Sequence, residues 1–156
     1  MQVIERKTTR DNRVIAWMRL ARIYTLIDRE TVNLLRQFDL SVAQFDVIAQ
    51  VGAAEGRTQQ ELADALLVTK GNITQLLDRL EARGLIERRV EAGRRGKRIF
   101  LTEAGWMLNR EAIPAQEALI ASLVGRLPVE DQDDLNQILR RFQQLLASTS
   151  HEENAS

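Results

Sequence analysis

The sequence predicts a mainly helical protein with one small β-hairpin. Apolar residues recur at helical spacing along most of its 156 residues, and the pattern changes to strand-like only between residues 86 and 102. Aromatic residues make up 4% of the chain, so a core must be built mostly from Leu, Ile, Val and Ala, which favours helices. The length fits one domain of ordinary size.

Residues 11–38 are predicted to form one long helix with two apolar sides. The main stripe consists of Trp17, Leu20, Ala21, Tyr24 and Ile27. A second apolar set contains Ile15, Met18, Ile23 and Leu26. Since a helix that is apolar on more than one side usually has two packing partners, we expect one to be its own domain and the other a second subunit.

Two capping patterns predict where the next helices begin. Ser41-x-x-Gln44 is a capping-box sequence, and its helix should end near Gly52. Thr58-x-x-Glu61 repeats the pattern and predicts a short helix over residues 58–66.

A three-residue turn, Leu67-Val68-Thr69, leads to a further helix predicted over residues 70–83. One side of this helix is apolar, with Ile73, Leu76, Leu77 and Leu80. Gly84 follows where a helix commonly ends on a left-handed residue, because glycine has no Cβ to clash there.

The β-hairpin is predicted from residues 86–90 and 97–102, which are short and rich in β-prone residues. Gly93 and Gly96 lie in the connection, which is basic. Thr102 then caps a fifth helix that runs to about Gly125 and bends at Pro114. Pro128 begins a sixth helix with an apolar stripe, and residues 148–156 are predicted to be a disordered tail.

Charge is segregated along a chain whose formal net charge is zero. Residues 69–98 carry nine basic and four acidic side chains, a net charge of +5. Residues 99–156 carry four basic and nine acidic side chains, a net charge of −5. A compact basic segment suits a polyanionic partner.

The order helix, short turn, helix and basic hairpin is that of a winged helix-turn-helix, in which a first helix braces a second one that enters the DNA major groove. Asn and Gln can pair with adenine, Lys can reach guanine, and Arg at a thin loop tip can enter the minor groove. Gly71 allows the backbone to approach DNA closely. Arg88 and Arg89 are interpreted as flanking charge. The candidate DNA contacts are Thr58, Gln59, Thr69, Lys70, Gly71, Asn72, Thr74, Gln75, Arg79, Arg94, Arg95, Lys97 and Arg98.

Other function classes have little support in the sequence. The chain has no cysteine, and its single histidine, His151, lies in the polar tail, so no zinc or thiol site, cofactor or enzyme activity is predicted. No phosphate-binding or dinucleotide glycine motif is present. With no signal peptide or apolar span visible, we expect a cytoplasmic protein. The alternative function is a winged-helix protein-interaction module without DNA binding.

The chain resembles the MarR family of bacterial transcriptional regulators over almost its whole length. The segments that carry the resemblance are LSVAQFDVIAQV at 40–51, TQQELADAL at 58–66, NITQLLDRLEARGLIERR at 72–89 and LTEAG at 101–105. The resemblance implies long N- and C-terminal dimerisation helices, 11–38 and 103–147, around a DNA-binding lobe, 41–102. It also implies a homodimeric regulator, more often a repressor, that binds a pseudo-palindromic double-stranded operator.

Two details of the family pattern concern specific residues. Arg95 matches the arginine of the Asp-x-Arg wing motif, but Gly93 stands at the Asp position. The acid that steadies the wing in the family is therefore missing, and we expect a looser wing unless Glu91 substitutes for it. Family members often bind small aromatic acids or phenols between the dimer helices and the DNA-binding lobe. The candidates for such a cleft are Trp17, Arg22, Tyr24 and Phe45. The alternative is that the three aromatic residues are ordinary core and that Arg22 is a surface charge.

Overall fold

The computed structural model describes residues 11–66 and 68–153. This part of the chain has the predicted mainly helical fold with a small antiparallel sheet. Its elements are α1 (Asn12–Leu35), a 3₁₀ turn (Arg36–Phe38), α2 (Val42–Ala53), β1 (Arg57–Thr58), α3 (Gln59–Leu66), α4 (Lys70–Ala82), β2 (Ile86–Val90), β3 (Lys97–Leu101), α5 (Glu103–Val124) and α6 (Val129–Glu153).

The chain forms two compact units that divide within α5, after Glu117. The first unit contains the sheet, the first four helices and α5 as far as Glu117, and the second contains the rest of α5 and α6. The buried apolar side chains belong to the first unit, and they come from its α-helices, from β2 and β3, and from two of the connections between elements. They are Leu35, Leu40, Phe45, Val47, Ile48, Val51, Leu62, Ala63, Ile73, Leu77, Leu80, Leu85, Ile86, Ile99, Leu101 and Ala112.

Both predicted capping boxes are present. The Ser41 hydroxyl accepts the Gln44 backbone N–H at 3.2 Å, and the Gln44 side chain accepts the Ser41 N–H at 3.0 Å. At the start of α3, the Thr58 hydroxyl accepts the Glu61 N–H at 3.2 Å while the Glu61 carboxylate accepts the Thr58 N–H. These bonds satisfy backbone donors that lack partners inside a helix.

The boundaries of α4 also follow the sequence. Thr69 caps its first turn by accepting the Asn72 N–H at 3.3 Å. After α4, Gly84 takes a left-handed φ of +69°, and the Leu85 N–H donates to the Leu80 carbonyl. This is the Schellman-type ending that the glycine predicted. Leu67, in the predicted turn before α4, lies outside the described residues.

The sheet has the strand order β1-β3-β2, so β3 is the central strand. β2 and β3 form the predicted hairpin, with Ile86 opposite Leu101 and Val90 opposite Lys97. The two-residue strand β1 was not predicted. It pairs antiparallel with β3 through Arg57 and Thr58, and it joins the start of α3 to the hairpin.

The two C-terminal helices begin where the sequence indicated. The Thr102 hydroxyl accepts the Gly105 N–H at 3.0 Å at the start of α5, and Pro114 lies inside that helix. α6 continues to Glu153, so it extends into residues 148–156, which were predicted to be disordered; residues 154–156 lie outside the described part. No helix in the described residues is long and apolar enough to cross a membrane.

Candidate DNA interface

Helix α4 has one buried and one exposed side. Ile73, Leu77 and Leu80 are fully buried in the core of the first unit. Leu76 is half-buried against the same core, and polar and small residues cover the side of α4 that faces away from it. The exposed candidates on this helix are Lys70, Gly71, Asn72, Gln75 and Arg79.

Helix α3 braces the start of α4 through a side-chain hydrogen bond. The Gln59 amide donates to the Thr74 hydroxyl, and that hydroxyl donates to the Lys70 carbonyl at 2.8 Å. Both Gln59 and Thr74 are half-buried. These two candidates therefore hold the first turns of α3 and α4 in register, in addition to any contact with DNA.

Gly71 has open space where a side chain would lie. A methyl group at this position would have no other atom within 4 Å, and the φ of Gly71 is not positive. No contact within the described structure requires glycine here. The space over the first turn of α4 is therefore available to an approaching partner.

Ion pairs divide the cations of the basic segment into two groups. Arg83, Arg88, Arg89, Arg94 and Arg98 each pair with an acidic side chain. The other four cations form no ion pair with the described part of the chain, and all are exposed: Lys70, Arg79, Arg95 and Lys97. The positive potential of this surface thus comes mainly from the outer side of α4 and the hairpin tip.

A cavity of about 480 Å³ lies between the two helices α3 and α4 and the hairpin. It is bordered by the starts of α3 and α4 on one side and by the hairpin on the other. Two of the unpaired cations, Lys70 and Lys97, are in its wall. The lining residues are Thr58, Gln59, Gln60, Lys70, Arg88, Gly96, Lys97 and Ile99.

At the hairpin tip, Gly93 takes a φ of +78°, a conformation that side chains with a Cβ rarely adopt. This backbone conformation suits glycine at the position where the family motif has Asp. Glu91 forms an ion pair with Arg94 at 3.3 Å, with both side chains exposed. Arg95 is exposed and has no acidic partner in the described residues. Glu91 therefore steadies the turn through Arg94, and Arg95 stays available.

Arg98 differs from the other three hairpin candidates because its side chain is only 19% exposed. Its guanidinium donates to the Gly56 carbonyl at 3.1 Å and lies 3.5 Å from the Glu61 carboxylate. Hydrogen bonds from the Thr58 backbone N–H and hydroxyl lower the pKa of Glu61, and Arg98 and Arg57 add to that effect. The Glu61 carboxylate is thus held in its charged form at the base of the hairpin.

From the sequence, Arg88 is interpreted as flanking charge, but in the structure Arg88 contacts α4. Its side chain is 14% exposed and bonds to Asp78 at 2.7 Å and to Glu81, both on α4. The alternation of β2 places Arg88 on the same face as the buried Ile86, and this signal could have indicated an inward role. Arg89, on the other face, is exposed; it bonds to Glu87 and lies 4.8 Å from the centre of the Phe100 ring.

The four candidate ligand residues are not grouped together. Phe45 is 6% exposed and belongs to the core, whereas Trp17 and Tyr24 are 64% and 68% exposed on α1. Arg22 is exposed and lines a 300 Å³ cavity on α1, whose walls contain neither aromatic residue. Because Trp17 and Tyr24 are two turns apart, they share one side of α1, and Arg22 lies on a different side.

Comparisons with known proteins agree with this architecture. Residues 38–96 match the model of the MarR family. An HTH-type transcriptional regulator from Bacillus cereus is 35% identical over 128 residues, which cover 81% of this chain and 86% of the relative.

Two solved structures with similar folds contain DNA. The Staphylococcus aureus MepR–DNA complex matches with a TM-score of 0.73 and 27% identity, covering 81% of this chain and 93% of MepR. A MarR variant from Escherichia coli in complex with operator DNA matches with a TM-score of 0.75 and 27% identity, covering 86% of this chain and 99% of that one. Together with the fold, these similarities show that the chain belongs to the MarR family of transcriptional regulators.

Proposed function

We propose that this protein is a homodimeric repressor that binds a specific double-stranded DNA operator in the bacterial cytoplasm. The observation that carries the proposal is the pairing of two features: the exposed donors of α4 and the unpaired cations Lys70, Arg79, Arg95 and Lys97 beside them. The DNA complexes of MepR and of the MarR variant support it, since these are proteins of similar fold and family.

In this proposal α4 enters the major groove. Asn72 and Gln75 read base edges as amide donors and acceptors, and Lys70 contacts guanine or a phosphate. The hairpin carries Arg95 toward the minor groove, where a narrow groove strengthens the negative potential. The phosphate contacts set the position of the protein, and the groove contacts of α4 supply the sequence preference.

Apolar residues on the terminal helices support a homodimer. On α1, Trp17, Met18 and Tyr24 are at least 60% exposed. Separately, α6 exposes a stripe that contains Ile138 and Phe142. Exposed apolar side chains that share one face of a helix in this way mark an interaction site. A second copy is the proposed occupant, because two copies would present two α4 helices to successive major grooves, roughly 34–36 Å apart.

The proposal includes a small aromatic or phenolic effector that releases the DNA. Trp17 and Tyr24 lie on one side of α1, and in the proposed dimer the effector would share this surface with the second copy. A ligand that binds better to a conformer with the wrong spacing between the two α4 helices would shift the population away from the DNA-bound state. Arg22 lies elsewhere on α1, so the charge of an aromatic acid would need a different partner.

A mobility-shift assay on the DNA upstream of the protein's own gene tests the proposal. We expect a shift that survives excess competitor DNA and weakens when candidate aromatic acids are added. Lys70→Ala and Arg95→Ala should weaken binding, and Arg110→Ala, which removes an exposed cation from α5, serves as the charge-matched control.

No binding to duplex at low salt would contradict DNA recognition and favour the protein-interaction module. Equal weakening by Arg110→Ala would contradict the assignment of the surface. The direction of regulation has its own test: deleting the gene should raise transcription of the unit next to the bound site, and a fall would identify an activator.

A further inference from the structure

We infer that Arg98 positions the hairpin against the start of α3, and that it acts in DNA binding as a positioning residue and not as a phosphate ligand. This inference rests on the proposed function for its effect on DNA. Its structural part, the anchoring of the hairpin, stands on contacts within the first unit and can be measured without DNA.

The Arg98 side chain is directed toward other parts of the first unit and away from solvent. Its Nη1 is 3.1 Å from the Gly56 carbonyl and 3.5 Å from the Glu61 carboxylate, and both partners are more than thirty residues away in sequence. Its Nε is buried and has no hydrogen-bond partner in the described residues. A phosphate oxygen cannot reach a donor that is closed off from solvent, so the paired donation to a phosphate typical of arginine is not available along that edge.

Glu61 connects this contact to the helix start. The same carboxylate oxygen that faces Arg98 accepts the Thr58 N–H at 2.6 Å and the Thr58 hydroxyl at 2.9 Å. One carboxylate therefore caps α3 and pairs with β3, the central strand of the sheet. Because the Glu61 carboxylate lies 3.5 Å from the Arg98 guanidinium, the positive charge of Arg98 is balanced within the protein.

The register of the hairpin is consistent with this role. Arg89 on β2 lies directly opposite Arg98 on β3, and like charges in that position are unfavourable. The structure separates them: Arg89 bonds to Glu87 and lies over Phe100, and Arg98 bonds to Gly56 and Glu61.

The anchoring extends to the recognition helix. Arg98 joins β3 to the start of α3, and Gln59 at that start bonds to Thr74 on α4. Arg95, at the hairpin tip, therefore keeps a set distance from the donors of α4. A hairpin held in this position before binding loses less conformational freedom when it meets DNA.

Arg98→Met tests the inference, because Met keeps an apolar stem and removes the guanidinium. Arg95→Ala is the matched variant that removes an exposed hairpin cation. We expect Arg98→Met to weaken duplex binding by up to about tenfold, because a hairpin released from this charge-assisted hydrogen bond must be repositioned when it meets DNA. The slope of log affinity against log salt should stay at the wild-type value, whereas Arg95→Ala should reduce it by about one per subunit.

Hydrogen exchange on the free protein gives the second readout. The Gly56 N–H donates to the Ile99 carbonyl at 2.9 Å and so reports on the junction of β3 with the segment before β1. We expect faster exchange at Gly56 in Arg98→Met and no change in Arg95→Ala. Glu61→Gln keeps an oxygen for the helix cap but removes the charge. Combined with Arg98→Met, it should add little further exchange.

The two readouts separate the possible failures. Unchanged exchange at Gly56 in Arg98→Met overturns the inference, and so does a salt slope that falls as much as in Arg95→Ala. If the wild-type protein binds no duplex, the proposed function fails, and the exchange data still decide whether Arg98 anchors the hairpin.

Discussion

Gly71 in the first turn of α4 is a residue whose identity the protein's own packing does not require. Its Cβ position is open, and its backbone conformation is available to any residue. We predict that Gly71→Ala raises the free energy of unfolding by up to about 1 kcal/mol, because alanine loses less backbone entropy in a helix. The same methyl group should weaken duplex binding by keeping the backbone away from DNA.

Denaturant unfolding and a mobility shift on the same sample check this prediction. Opposite changes in stability and affinity are its signature. If affinity falls only together with stability, then Gly71 has a structural role that its open surroundings do not suggest.

Asp46, in α2, is a half-buried carboxyl group whose environment disfavours its charge. Burial raises its pKa above the ordinary value of 3.8, and Asp28 adds to the rise. The contribution of Asp46 to the free energy of unfolding is therefore most favourable below pH 3.8, where the carboxyl is protonated. This contribution is lost as the pH rises through the raised pKa, because the folded state must then hold a half-buried charge. We predict that Asp46→Asn melts at a higher temperature than wild type at pH 7.

The advantage of Asp46→Asn should disappear as the pH is lowered below 3.8. Asp133→Asn removes an exposed carboxylate from α6 and is the control for net charge. Thermal melts of the three proteins across this pH range make the comparison. A stability difference that is constant with pH would mean that the effect of Asp46 does not come from its ionisation.

Between elements, Arg88 links β2 to α4. Its guanidinium bonds to Asp78 and Glu81, and its backbone N–H donates to Glu81 at 3.3 Å. We predict that Arg88→Met lowers the free energy of unfolding by about 2 kcal/mol, because a mostly buried, charge-assisted contact is removed while its acidic partners stay.

Arg89→Met is the matched control from the other face of the same strand. Since Arg89 is exposed, its loss should leave the free energy of unfolding nearly unchanged. Urea unfolding of both variants checks the pair. Similar losses for Arg88→Met and Arg89→Met would show that the contact between β2 and α4 does not depend on the Arg88 ion pairs.

For the whole molecule, the prediction concerns assembly. Phe142 lies in the exposed apolar stripe of α6, and Gln144 lies on the opposite side of that helix. We predict that Phe142→Glu converts a dimer to a monomer in sedimentation velocity and weakens operator binding by about 100-fold or more, because the two DNA contacts no longer act together.

Gln144→Glu introduces the same charge on the other side and should leave the dimer intact. Circular dichroism at one concentration checks that both variants keep the helix content of the wild type. A wild-type protein that sediments as a monomer, or a Phe142→Glu variant that stays dimeric, would contradict the proposed use of this face.

The sequence by itself determined the local structure of this protein. Capping at Ser41 and Thr58, the left-handed Gly84 and the change of period at residue 86 depend on contacts within a few residues, so the pattern reveals them. The order helix, short turn, helix and basic hairpin then predicted a winged helix-turn-helix, which the structure confirmed.

The tertiary structure alone decided which similar residues face inward. In the sequence, Arg95 and Arg98 are both cations of the hairpin. In the structure Arg95 is exposed, whereas Arg98 donates to the Gly56 carbonyl, 42 positions away in sequence. Trp17 and Phe45 read alike as apolar helix residues, yet only Phe45 is buried. β1 exists only because β3 lies beside it. Such partners come from distant parts of the chain, and local periodicity carries no information about them.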